Sequence, residues 1–263
     1  MCSSSFSIED ITEHRTTIGD GELSFSNEEM SSEVLKEEAC SILKHCEFCI
    51  QTSDNQIPSL NKQEIYTVFC HAHRVRTTVT ARPAVVRKWV HGIRHRHRNL
   101  LLRGRLVVGL GVQWAPGRNP SPATLQLCVG HRCLIFQLLY ADHSPAVLHR
   151  FISDPSVTFV GVWNYRDALM LRESRHRLQI SRLVDLRHVA SDLRGFSRRM
   201  TMEWLAEEVL GMDGVEKKGW VGRSEWDQTW LSEEQVEYAC VDAFLAFLMA
   251  IELQVWDWDD DDS

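Results

Sequence analysis

The stretch Ser224-Glu225-Trp226-Asp227-Gln228-Thr229-Trp230-Leu231-Ser232-Glu233-Glu234-Gln235-Val236-Glu237-Tyr238-Ala239-Cys240-Val241-Asp242-Ala243 decides how the rest of the chain is read. Ser232 stands at the entrance of an apolar run that continues to Leu253, and Gln235, three residues on, completes a capping box. The spacing therefore predicts a helix over 232–253. Tyr238 and Asp242 are four residues apart, so they leave one face of that helix, one turn above the other. Taken alone, the pair reads equally well as a surface acid beside a half-buried tyrosine.

Working outward, helices are expected at Thr201–Leu210, Leu186–Leu193, Tyr165–Glu173 and Ser144–Phe151, with short strands at Leu183–Leu186 and Thr158–Val162 between them. Further upstream, Leu106–Trp114, Thr124–Val129 and Cys133–Leu138 are three apolar segments separated by Pro or Gly turns, the pattern of an antiparallel meander. Pro83 to about Arg98 reads as a basic helix with Pro in its first turn, where a missing N–H costs nothing. Ile65–Cys70 and Val75–Val79 form an opening strand pair. Three strands followed by alternating helices and strands define an α/β fold, a mixed sheet flanked by helices. Residues 65–253 are expected to be the folded domain. Residues 1–62 are expected to form an acidic, largely disordered extension with one possible helix at 33–50, and 254–263 an acidic tail.

The net charge of −7 over 263 residues conceals a segregation. Residues 1–60 carry twelve acids against three Lys or Arg, whereas no Asp or Glu occurs from Ile65 to Ala141. Such a block suits a polyanion partner, and equally a solvated basic helix face. Within it Arg94, Arg96 and Arg98 are candidate phosphate contacts, with His95 and His97 interleaved. The eight cysteines follow no short disulfide framework, and Met1–His14 lacks a basic segment followed by an apolar core. Both point to nucleus or cytoplasm. No apolar run approaches the ~18 residues of a membrane span.

With these elements in place, the quoted stretch resembles the third motif of the RNase D and Werner-syndrome-type 3′–5′ exonucleases, in wording closest to the plant branch of the latter. In that family a Trp and Leu precede a helix carrying Gln-x-x-Tyr-Ala-x-x-Asp-Ala, matched here by Trp230, Leu231, Gln235, Tyr238 and Asp242. Phe159-Val160-Gly161-Val162 with Asp167 looks like the second motif, Val184-Asp185-Leu186-Arg187 like the junction after it, and 123–138 like the family's second and third strands. The resemblance implies an RNase H-like fold, three antiparallel strands and then parallel ones. It also implies two-metal phosphodiester hydrolysis with Mg²⁺ or Mn²⁺, Asp167 and Asp242 as metal ligands, and Tyr238 orienting the attacking water. Nucleic acid, single-stranded or at 3′ ends, is the implied partner.

The first motif departs from the family. Its Asp-x-Glu falls on Gly111-Val112-Gln113, and no acid within the surrounding acid-free segment replaces either residue. Hard divalent cations require charged oxygen ligands, so the loss of two carboxylates points to impaired or absent hydrolysis. A second departure is Trp163-Asn164, where the family has a small Gly followed by an aliphatic residue. Three functions follow: a degenerate exonuclease domain that binds nucleic acid or pairs with an active paralogue, a working Mg²⁺- or Mn²⁺-dependent exonuclease, and a protein-interaction pseudoenzyme.

Two further groups are candidates. Cys46-x-x-Cys49, with Cys40, His45, Cys70, His71 and His73, forms only half of a zinc framework and reads also as incidental cysteines. Trp256 and Trp258 either cover an apolar patch or belong to a nucleic-acid-mimicking tail. Trp114, Trp204, Trp226 and Trp230 are expected in the core rather than as base-stacking platforms.

Overall fold

The computed structural model describes residues 51–52, 63–117, 120–215 and 218–258. The chain divides into two units, Met1–Phe48 and Cys49–Ser263, and every described residue lies in the second. The helix expected over 33–50, residues 53–62 of the expected extension and the extreme acidic tail fall outside the described residues.

Among the described residues eight strands make one sheet: β1 (Gln51–Thr52), β2 (Glu64–Cys70), β3 (His73–Thr80), β4 (Leu106–Trp114), β5 (Pro122–Val129), β6 (Arg132–Gln137), β7 (Val157–Gly161) and β8 (Leu183–Asp185). Their spatial order is β1-β2-β3-β6-β5-β4-β7-β8. The meander β4-β5-β6 and the hairpin β2-β3 are antiparallel, as their short Gly-containing or polar turns predict. β7 and β8 then add in parallel beside β4. The feature absent from local sequence signals is the parallel pairing of β3 with β6, which joins the opening hairpin to the meander across more than fifty residues of chain.

The helices are α1 (Pro83–Arg96), α2 (Arg98–Leu102), α3 (Ala146–Ile152), α4 (Tyr165–Glu173), α5 (Leu186–Arg194), α6 (Met202–Leu210), α7 (Gly219–Gly222) and α8 (Glu233–Glu252). Ser232 caps α8 and both hydrogen bonds of the capping box are present. Among the described residues no helix is long and apolar enough to cross a membrane.

α8 is the spine. It packs on β4, β5, β6 and β7 and buries residues on nearly every side, so its sequence is apolar almost all round. Close approach needs a strand without a side chain at the crossing. Gly109 provides it, since a Cβ there would overlap the Ala243 carbonyl of α8. β4, covered on both faces, is correspondingly a continuous buried run.

Strand direction then locates the site. β4, β7 and β8 run parallel, so Gln113, Gly161 and Asp185 all sit at the C-terminal end of the sheet, where ligand sites of open α/β sheets form. Arg132 begins β6 and lies at the opposite end, because Gln137, not Arg132, pairs with Thr124 beside Gln113.

Candidate active site

Three elements bring the motif residues together. β4 ends in Gln113 and Trp114, α4 carries Asp167 in its first turn, and α8 carries Asp242. Gln113 is buried, and its Nε2 donates to Asp242 Oδ2 over 3.3 Å. Trp114 Nε1 donates to Asp167 Oδ1 over 2.9 Å. In a regular strand these adjacent side chains would point to opposite faces. Here the β4–β5 register shifts between Gln113 and Trp114, and this irregularity lets both reach the site. The role of Trp114 was therefore hidden from pattern reading, which assigned it to the core.

The carboxyl of Asp167 is pushed up to about 7. Burial is the largest cause and the Asp242 charge adds to it, while the Trp114 hydrogen bond and Arg166 oppose it. Arg166 itself lies over the Trp114 ring, 4.7 Å from the centroid. One turn before Asp242, Tyr238 packs against Gly222 of α7, where a Cβ would come within 2.5 Å of the phenol oxygen. Trp226 is fully buried, sits 6.2 Å from the Tyr238 ring and donates Nε1 to the Gly222 carbonyl over 3.3 Å. Gln235 completes the motif mechanically: its Nε2 reaches Ser224 Oγ at 2.9 Å and the Glu225 carbonyl at 3.2 Å, clasping the loop that places α7 over Tyr238.

Gly111 lies one pleat back on the same face as Gln113. The space its missing side chain leaves borders Gln126, whose Oε1 would stand 3.0 Å from a Cβ at 111. That oxygen is buried without a hydrogen-bond partner, while Gln126 Nε2 donates to Thr124 Oγ1 over 2.6 Å. An orphaned acceptor beside the vacant position is a polar pocket in need of a donor. Two carboxylates, an amide and this oxygen are the site's ligating atoms. Among the described residues no group of three or more His, Cys, Asp or Glu could hold a metal ion. The donor set therefore fits a pair of divalent cations poorly.

Several expectations change. Arg94 pairs with Asp154 at 3.1 Å rather than standing ready for phosphate. Arg96 ends α1 at the Arg132 end of the sheet, remote from Asp167, and Arg98 opens α2 beyond it. Arg132 is held below the usual arginine range, first by burial and then by repulsion from Arg96 and Arg76. Trp204 and Trp230 are 52% and 42% exposed, so they are not core residues. Trp204, near the start of α6, turns outward and donates to Glu208 one turn along at 3.2 Å. Trp256 and Trp258 do pack against the core. Burial pushes the Cys70 thiol up to about 12; Cys40, His45, Cys46 and Cys49 fall outside the described residues.

A central antiparallel meander flanked by parallel strands, with Asp167, Tyr238 and Asp242 meeting at its C-terminal end, defines an RNase H-like nuclease fold of the DEDDy type. Residues 117–255 match the 3′–5′ exonuclease family, and the chain belongs to that family. It is 30% identical to the human "Exonuclease mut-7 homolog" over 185 residues, 57% of this chain and 20% of that protein. To a 3′–5′ exonuclease of Drosophila yakuba it is 28% identical over 147 residues, 54% of this chain and 40% of the relative. The chain thus spans less than half the length of either. Among solved structures, Escherichia coli RNase D superposes with a TM-score of 0.51 at 21% identity, covering 62% of this chain and 43% of that one, which shows the fold. The family match begins past β4, so equating Gly111 and Gln113 with the first motif rests on their strand position and their contacts with Asp242 and Gln126.

Proposed function

We propose that the chain is a nucleic-acid-binding member of the exonuclease family whose hydrolytic site has lost the ability to hold the catalytic metal pair. The observation that carries this reading is that each remaining carboxylate accepts an N–H from the end of β4, Gln113 on Asp242 and Trp114 on Asp167. An N–H donor presents positive potential where a cation would have to sit.

The charge balance points the same way. Two divalent ions bring four positive charges, and Asp167 and Asp242 offer at most two negative ones. Burial also favours the protonated form of Asp167, which lowers that sum further. Two-metal chemistry would supply a lowered water pKa and stabilisation of both the attacking and leaving oxygens. What this chain's own residues do is hold Tyr238 and the two carboxylates in a fixed, hydrogen-bonded arrangement. The likeness to the Werner-type branch rests on the motif residues alone.

Affinity for nucleic acid is supported by the acid-free segment and by Arg76, Arg96 and Arg132, which crowd together against their mutual repulsion. A polyanion would relieve that repulsion. The decisive experiment follows 5′-labelled single-stranded DNA and RNA by fluorescence anisotropy across salt, and by gel in millimolar Mg²⁺ or Mn²⁺. Binding that weakens steeply with salt, without shortening from the 3′ end, is the expected result. Metal-dependent shortening that vanishes in Asp242→Ala would instead establish an active exonuclease. Absence of binding at low salt would remove nucleic acid as the partner and leave protein interaction.

A further inference from the structure

We infer that Trp163 is a built platform on which one base of a single-stranded nucleic acid stacks, beside the eroded site; the inference rests on the nucleic-acid reading above. Trp163 lies between β7 and α4, four residues before Asp167 and at the C-terminal end of the sheet. It is 57% exposed, an unusual place for the largest apolar side chain.

Its backbone has φ 60°, a left-handed conformation that bulky residues rarely adopt. Such strain persists only where the surroundings over-determine it, and it gathers at ligand clamps. The locks here are identifiable. The Trp163 N–H donates to Asp185 Oδ2 at 3.0 Å, and its indole Nε1 donates to the Met200 carbonyl at 3.2 Å. The Arg187 guanidinium covers one face of the ring, 3.2 Å from its centroid. Arg187 is in turn held bidentately by Asp185, at 3.0 Å and 2.6 Å, and donates to the Arg198 carbonyl at 2.6 Å. Asp185 also accepts the Arg187 N–H as the cap of α5, so all four of its contacts serve this one assembly.

A ring fixed at its N–H, at its backbone and on one face retains a single open face. A core-sealing role would bury that face, and a merely tolerated surface residue would not be held in a left-handed conformation by a buried ion pair. Stacking on an aromatic face is sequence-tolerant because every base has a π surface, which suits recognition without base readout.

The test compares the purified chain with Trp163→Gly, which accepts the backbone angle without strain, and with Trp163→Phe, which keeps a ring. Trp163→Asn, also tolerant of left-handed backbone, serves as a second ring-less variant should the glycine variant unfold. Affinity is measured by anisotropy for an intact single-stranded oligonucleotide and for one carrying abasic positions near its 3′ end. The expected result is a loss of roughly 5- to 100-fold for the ring-less variants on the intact strand, with much of the affinity retained by the Phe variant. The abasic strand should bind the wild type and the ring-less variants alike. Equal affinity of wild type and Trp163→Gly for the intact strand overturns the inference while leaving the nucleic-acid reading standing. A wild type that binds neither strand takes both down. Hydrolytic activity in the wild type would revise the metal argument without touching the platform.

Discussion

Gln113 donates its side-chain amide to Asp242 across 3.3 Å, from the end of a buried strand to the face of the helix that crosses it. Where the family's glutamate would repel Asp242 unless a cation lay between them, the amide makes the same proximity attractive. On the proposed reading, an amide at this position lets the two side chains sit together with no metal between them.

Reversal of that change is the first prediction. Gln113→Glu places like charges together and should destabilise the fold by about 1–3 kcal/mol at neutral pH. Gly111→Asp with Gln113→Glu restores four carboxylates, after Gln126 Oε1 gives way to the new Cβ. Thermal melts with millimolar Mn²⁺ should then show stabilisation of about 2–3 kcal/mol, the value for a ligand at ~100 times its dissociation constant. The wild type should show no such shift. A wild-type shift as large as that of the double variant would contradict the lost-site reading.

The pH dependence of Asp167 is the second. Its folded pKa of about 7 lies above the ordinary carboxylate value, so between these values the folded chain binds more protons than the unfolded one. Its contribution to stability is complete below the unfolded value and disappears as pH rises through about 7. Asp167→Asn removes the penalty and can still accept from Trp114. Relative to wild type, the variant should gain about 2 kcal/mol between pH ~5 and ~8, after allowance for residual exposure of the carboxyl. Urea midpoints across that range decide it, and a constant difference would place the carboxyl at an ordinary value.

Packing of Tyr238 on α7 gives the third. Gly222→Ala brings a methyl within 2.5 Å of the phenol oxygen and 2.9 Å of its ring carbon, so the ring must move. The cost should be about 1–3 kcal/mol and should largely disappear in the background of Tyr238→Ala. Additive effects in chemical denaturation of the two single variants and the double variant would show that the contact is absent.

Gln235 supplies the fourth. It accepts from the Ser232 N–H and donates to Ser224 and Glu225, linking helix cap and loop through one side chain. Gln235→Ala should cost about 2–3 kcal/mol, more than the ~1 kcal/mol of a cap alone, because the part-buried loop acceptors at Ser224 and Glu225 also lose their donor. Gln235→Glu, which keeps the cap acceptor and loses the donor, should fall between. A Gln235→Glu variant as stable as the wild type would argue against a role in holding the loop.

Sequence alone settled what is local or periodic. The capping box of α8, the helix over Tyr165–Glu173, the meander of three buried strands and the face shared by Tyr238 and Asp242 follow from turn chemistry and spacing, and all stand in the structure. That Gly111 and Gln113 stand where the resemblance places an Asp and a Glu was equally legible. What required tertiary structure is what depends on meetings between distant segments. The pairing of β3 with β6 is invisible to local propensity, because its hydrogen bonds carry no side-chain code. The register shift that swings Trp114 onto Asp167, the donation from Gln113 to Asp242 and the rise of the Asp167 carboxyl arise only when burial and partner charges act together. A sequence records which acids have gone; the folded chain decides which groups the remaining acids face.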